Sequence, residues 1–264
     1  MGSGRTLPFY LKLRRLSRPT RLTVIVTTHN HLELTQRCVA SVLRHTANMT
    51  LMVVDDGSED GTQEWVRRQG IELIECPGGN VARNRQEGLR SVIGGPVAWL
   101  DNDVEVTEGW WDTLEGLMRS YQCCGIVAPQ KVYGNFADYT NEGWSQGRKP
   151  GDIQNCGNAI YPDGSTGPVM AYDDVAFPDY VEAACMVVKE VVWKGQNWDH
   201  NSFPFHYEDV DYCFQARARG YAIVATRLVS VVHHAHSSSR TRWPEFADRR
   251  AAFMKKWKVP RFPS

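Results

Sequence analysis

Long apolar runs are missing from this 264-residue chain. No stretch approaches the ~18 consecutive apolar residues that a membrane-spanning helix needs. The first residues carry positive charge without an apolar h-region, so they do not read as a secretory signal. Cysteine pairing is missing too. Cys38, Cys76, Cys123, Cys124, Cys156, Cys185 and Cys213 form an odd set with no CxxC spacing, which argues against a zinc knuckle or a dithiol redox motif. They read as small buried apolar residues in a reducing compartment. Internal repeats and low-complexity segments are absent. Neither charge sign is in excess, with 30 Lys and Arg against 30 Asp and Glu. What remains is an ordinary globular composition, long enough for one large α/β domain. The expected location is cytoplasmic, with peripheral contact at a membrane surface as a further option.

The balance of charge hides an uneven distribution. Residues 1–21 hold six Lys/Arg and no acid, and residues 237–264 hold eight Lys/Arg and two acids. The ends either touch something anionic, or are solvated, or fold back onto an acidic body. They are read as a basic N-terminal arm over 1–21 and a basic C-terminal tail over 240–264.

Between the ends, strand and helix signals alternate. Leu22-Thr23-Val24-Ile25-Val26 is a β-branched run that predicts a buried parallel strand. Residues 32–45 repeat apolar positions at helical spacing through Leu34, Cys38, Val42 and His45. Leu51–Val54 predicts a second strand, residues 63–69 a short helix closed by Gly70, and Ile71–Ile74 a third strand. Residues 81–93 predict a helix stopped by Gly94-Gly95-Pro96, and Val97–Leu100 a fourth strand. Such alternation predicts an α/β fold, with a central, mainly parallel sheet flanked by helices. Ligands of these sheets bind beyond the carboxyl ends of the strands. Those ends carry Thr27-Thr28-His29-Asn30, Asp55-Asp56 and Asp101-Asn102-Asp103. Residues 133–180 are rich in Gly, Asn, Asp, Tyr and Pro and read as a long irregular insertion holding a hairpin. Val181–Val192 is regular again. A helix opens at His206–Asp211 and closes at Gly220, and Tyr221–Val224 and Leu228–Val232 are apolar stretches leading into His233-His234-Ala235-His236.

Five clusters carry possible chemistry. Asp101-Asn102-Asp103 supplies hard oxygen ligands for a divalent cation bridging a diphosphate, although the same residues also start turns. Asp55-Asp56-Gly57-Ser58 can accept from a nucleobase imide or a ribose hydroxyl, or serve as a strand-ending turn with Ser58 or Asp60 capping the next helix. Glu208-Asp209-Val210-Asp211 places carboxylates at a helix start, where one could act as a base. His233, His234 and His236 offer imidazole ligands. Arg83 and Arg85 can bind phosphate or a base edge, one of them on a solvated helix face.

In this order the pieces resemble family 2 glycosyltransferases of the GT-A fold, from about Leu22 to Ser239. The matching segments are Leu22–Asn30, Asp55-Asp56-Gly57-Ser58, Asp101-Asn102-Asp103, Val181–Val188, Glu208-Asp209-Val210-Asp211 with Gly220-Tyr221, and Val232-His233-His234. The resemblance implies a Rossmann-like single domain, with a nucleotide-sugar-binding half over 22–130 and an acceptor-binding, catalytic-base half over 131–239. It implies an inverting transfer of a hexose-type sugar from a nucleotide diphosphate donor, a UDP-sugar first, with Mn²⁺ or Mg²⁺. Asp209 is implied as general base and Asp103 as metal ligand, joined by His233 or His234. Asp101 is implied at the ribose or sugar, and Asp55 or Asp56 at the nucleobase. Thr27, Asn30 and Arg83 fall in the donor-binding set, with Arg85 as the alternative to Arg83. One departure is the Ala82-Arg83-Asn84 segment, whose following glycine, Gly88, comes two residues later than in many relatives. The acceptor is expected to be a glycan, a lipid-linked glycan or a modified nucleic acid base. The rival readings are a sugar nucleotidyltransferase, which the glycine-free Thr27–Asn30 turn disfavours, and a non-catalytic binding module.

Overall fold

The computed structural model describes residues 21–134, 149–169, 173–234 and 243–258. His236, the aromatics Phe136, Tyr139, Trp144 and Tyr172, and the basic arm up to residue 20 lie outside the described residues.

The first half is β1 (Leu22–Thr28), α1 (Leu32–His45), β2 (Met49–Asp55), α2 (Thr62–Arg68), β3 (Glu72–Glu75), α3 (Val81–Arg90) and β4 (Val97–Asp101). Then come β5 (Val104–Glu105), α4 (Trp110–Ser120) and β6 (Cys124–Tyr133). The insertion contributes β7 (Ile153–Asn155), β8 (Asn158–Ile160), β9 (Thr166–Pro168) and β10 (Val175–Ala176). The chain continues with β11 (Cys185–Val188), α5 (Glu190–Trp193), α6 (Glu208–Ala218), β12 (Ala222–His233) and α7 (Trp243–Trp257).

Among the described residues, one ten-stranded sheet follows the order β10-β12-β6-β11-β4-β1-β2-β3, with β5 and β7 attached to β12 and β6. The pairs β1–β2, β1–β4, β2–β3 and β6–β12 are parallel. β11 runs antiparallel between β4 and β6 and joins the two halves into one sheet. β1 is buried along its whole length, as a central parallel strand covered on both faces must be. Two cores follow. One lies under α3, α6 and α7 and includes Ile25, Val54, Trp99 and Phe253. The other lies under α1 and α4 and includes Val24, Val26, Leu100 and Leu114. The mainly parallel α/β expectation holds.

Several local expectations are refined. The two apolar stretches after Gly220 are one strand, β12, whose register shifts between Thr226 and Ser230. The insertion does hold a hairpin, β8–β9, but β7 and β10 also extend the main sheet. The C-terminal tail contains a helix rather than solvated coil: α7 buries Phe253 against Tyr207 and Phe214. Lys256 of α7 reaches Asp199 and Asp211, each at 2.8 Å. Six of the seven cysteines are buried, Cys123 is exposed, and all are free.

Candidate functional site

The carboxyl ends of β1, β2 and β4 meet at one edge of the sheet. Asp55, fully buried at the end of β2, is consumed by its own turn. It accepts from Gly57 N (3.0 Å), Ser58 N (2.9 Å) and Gln63 Nε2 (2.6 Å). Asp56 projects further and accepts from Gly79 N at 2.8 Å, which ties it to the loop ahead of α3. Asn30, at φ 56°, binds the same turn from the other side: Ser58 Oγ accepts its N–H at 2.7 Å, and its Oδ1 accepts from Glu59 N at 2.9 Å. Asp60 does cap a helix start, but reaches α1 as well as α2, accepting from Leu32 N and Thr62 N.

β4 ends in Asp101-Asn102-Asp103, whose members face three ways. Asn102 Nδ2 lies 3.0–3.1 Å from Thr28 Oγ1, Thr35 Oγ1 and the Asn30 carbonyl as acceptors, and ties the end of β4 to the end of β1 and the start of α1. Asp101 Oδ1 accepts from Thr27 Oγ1 at 3.1 Å and from Arg85 Nη2 at 3.0 Å. Asp103 is buried, and its Oδ1 lies 3.5 Å from His233 Nε2.

The structure separates the two arginines. Asn80 caps α3 by accepting Arg83 N at 2.9 Å. The Arg83 guanidinium turns to the Pro77 carbonyl. Arg85 turns inward, is almost wholly buried, and bridges Asp101 and Glu208, the latter at 2.8 Å. Its guanidinium rests 5.1 Å from the centre of the Trp198 ring. Gly88, one helical turn on, has no room for a side chain: a Cβ would stand 2.8 Å from Ile25 Cγ2. That close approach seats α3 on β1 and aims Arg85 at the strand ends.

The two histidines separate as well, His233 closing β12 and His234 standing just beyond it. His233 points to Asp103, and its Nδ1 lies 2.8 Å from Gln154 Oε1; with the proton on Nδ1, the neutral ring turns Nε2 to a ligand. Burial alone would lower the His233 ring, but the Asp103 carboxylate outweighs it, and the net direction is upward. His234 is buried with Nε2 on Glu105 Oε1 at 2.7 Å and on Arg37 Nη2 at 3.2 Å. Its ring fills the place of a Gly134 side chain.

The three acids of α6 also take separate places. Glu208 pairs with Arg85. Asp211 is fully buried and turns to α7, accepting from Trp257 Nε1 at 2.8 Å and pairing with Lys256. Asp209 accepts from Val210 N at 2.8 Å and from Ala183 N at 3.4 Å. The neighbouring Ala184 carbonyl accepts Asp101 N at 3.0 Å, so two consecutive residues connect the end of β4 with Asp209. Burial, then the charges of Glu208 and Glu182, push the Asp209 carboxyl up to about 8 against the pull of Arg85. A carboxyl so placed holds a proton far more strongly than a surface aspartate. His206 and Tyr207, at φ 61° and 62°, are left-handed without being glycine, a local strain found where a site fixes its backbone.

Asp103 and His233 fit a hard divalent cation: one carboxylate and one imidazole nitrogen, close enough to share an ion, with further positions left to phosphate oxygens and water. Among the described residues no group of three or more His, Cys, Asp and Glu converges on one point. Sequence reasoning gave no role to Glu105, Arg37 and Gln154, which carry no local sequence signal. Glu208 and Glu182 stood inside segments already singled out, without separate roles of their own.

The family profile described as Glycosyl transferase family 2 matches residues 23–183. Among curated proteins, glycosyltransferase AglE of Haloferax volcanii is 31% identical over 100 residues, covering 34% of this chain and 32% of that protein. Glycosyltransferase GlyA of Streptococcus pneumoniae serotype 4 is 28% identical over 108 residues, covering 39% of this chain and 16% of that protein. The matches thus span a third or less of those relatives. Among solved structures, GalNAc-T7 with UDP, GalNAc and Mn²⁺ aligns with a TM-score of 0.65 at 13% identity, over 81% of this chain and 43% of that one. The mannosyltransferase PcManGT of Pyrobaculum calidifontis, in complex with GDP-Man and Mn²⁺, aligns with a TM-score of 0.63 at 17% identity, over 92% and 66%. The shared fold is that of GT-A glycosyltransferases.

Proposed function

The chain belongs to glycosyl transferase family 2, and from that premise we propose that it transfers a hexose-type sugar from a nucleoside diphosphate donor to an acceptor hydroxyl with inversion, with a divalent cation and with Asp209 as general base. The observation that carries this reading is the Asp101–Arg85–Glu208 bridge. It ties the strand end bearing the Asp-x-Asp motif to the helix start bearing Asp209. The Ala183 and Ala184 peptides make a second tie between the same two places.

In this mechanism Asp56 and Asn30 border the nucleobase and ribose, while Thr27 and Arg85 orient Asp101 towards the donor's ribose or sugar. Asp103 and His233 would hold Mn²⁺ or Mg²⁺, which when bound neutralises charge gathering on the leaving diphosphate. Asp209 takes the proton of the acceptor hydroxyl as that oxygen attacks the anomeric carbon from the face opposite the diphosphate. A carboxylate of ordinary acidity would be a weaker acceptor, so the buried, negatively flanked setting of Asp209 suits the task. The UDP, GalNAc and Mn²⁺ of GalNAc-T7 and the GDP-Man and Mn²⁺ of PcManGT support the cation and the donor class. UDP is the first nucleotide to try and GDP the second. The acceptor is read as a glycan or lipid-linked glycan, with a hydroxylated nucleic acid base as the other option.

The test is a panel of UDP- and GDP-sugars with Mn²⁺, followed by acceptor screening with the donor that is consumed. Asp209→Asn should lower transfer by at least about 10³-fold while nucleotide affinity changes little. Near-normal turnover in that variant would remove Asp209 from the role.

A further inference from the structure

Glu182, in the segment entering β11, draws more polar groups than a strand entry requires. Lys131 Nζ of β6 forms an ion pair with its Oε2. Asn155 Nδ2 of β7 and Asn158 Nδ2 of β8 donate to its Oε1 at 3.2 and 3.3 Å. Lys131, Asn155 and Asn158 are all buried. Burying an ammonium and two amides is costly unless each is paired, and here three elements commit theirs to a single carboxylate. The Glu182 side chain itself stays about a third exposed, at 32%. The next amide along, Ala183 N, is the one that donates to Asp209 Oδ2. Glu182 is therefore one peptide away from the group that holds the base.

We propose that Glu182 is a positioning residue for Asp209: Lys131, Asn155 and Asn158 fix its side chain, and with it the adjoining Ala183 amide that donates to Asp209. The inference rests on Asp209 being the base. A carboxylate beside a second carboxylate that cannot shed its charge favours its own protonated form. Glu182 meets that condition: burial would raise it, but Lys131 outweighs burial and holds it below its usual range. The other groups facing Asp209 are Glu208 on its own helix, which acts in the same direction, and Arg85 of α3, which opposes it. Tyr180, Tyr207 and Cys213 also lie in its field and are pushed up, by burial first and by Asp209 in part. The inserted segment thus has a duty at the reaction centre, since Gln154, its third amide, fixes His233.

The test needs no substrate. Because the folded state favours protonated Asp209, the stability this group contributes is complete at acidic pH. It is lost as pH rises through the folded-state value. Melts of the full chain and its Asp209→Asn variant, in chelator and from about pH 4 to pH 9, give a difference curve that follows Asp209 alone. The comparison is repeated with Glu182→Gln, and with Lys131→Met plus Glu182→Gln. The double variant removes both members of the buried pair and keeps the test valid if Glu182→Gln alone does not fold. The upper end of the difference curve, where folded Asp209 loses its proton, should move to lower pH in the Glu182-neutral backgrounds. An unchanged upper end, or a curve flat with pH in the parent, overturns the proposal. The base assignment is judged separately, by whether Asp209→Asn still transfers sugar.

Discussion

At Glu208, Asp209 and Asp211 the sequence offers three carboxylates within four positions, and at His233 and His234 two adjacent imidazoles. Their types and order were legible, and the chemistry of each cluster followed from them. Which member does what was not, because that depends on direction. His233 is the last residue of β12 and His234 the first beyond it, and their side chains diverge, so one histidine meets Asp103 and the other meets Glu105. Arg83 and Arg85, two apart on α3, likewise diverge. The residue-scale prediction concerns the histidines. His233→Ala should weaken Mn²⁺ binding, measured in the presence of a nucleoside diphosphate, by about 10-fold or more. His234→Ala should act mainly on stability, because it strips a buried partner from Glu105 and empties the space beside Gly134. A His234→Ala variant of normal stability that loses Mn²⁺ as fully as His233→Ala would reverse the assignment.

The elements that sequence period located best are those of the first half, where β1 and β4 are buried apolar runs and each helix ends at Gly, Pro or a basic turn. α4 and β6 escaped, although Trp110, Trp111, Leu114, Leu117 and Met118 recur at helical spacing and are all buried. α7 escaped for another reason: its basic residues suggested a tail. In fact Lys256 and Arg250 pair with Asp199, Asp211 and Asp163, and so fold positive charge back onto the acidic body. α7 also meets the left-handed turn ahead of α6, through Phe246 against His206 and Tyr207. Phe253→Ala should therefore cost about 3–5 kcal/mol in denaturant unfolding. Ile93→Ala, at a position 97% exposed, should stay within about 0.5 kcal/mol. Equal effects would mean that α7 is not packed as described.

Across the whole molecule, the sheet does what no local pattern announces. β11 enters antiparallel between β4 and β6, and so brings the segment before it, with Glu182, Ala183 and Ala184, beside both Asp101 and Asp209. Pairings over such separations carry no spacing to read, which is why Gln154 stayed invisible until the strands were in place and Glu182, though inside the matching Val181–Val188 segment, had no role assigned. Among the described residues no helix is long and apolar enough to cross a membrane. The central claim is that a cation on Asp103 and His233 holds a nucleoside diphosphate beside a base that takes no part in holding it. Calorimetric titration of UDP, then GDP, with Mn²⁺ or with chelator, into the parent chain, Asp103→Asn and Asp209→Asn tests it most directly. The account predicts cation-dependent binding that Asp103→Asn weakens by about 10-fold or more and that Asp209→Asn leaves intact. Binding that is indifferent to the cation, or equal in the parent and Asp103→Asn, would contradict it.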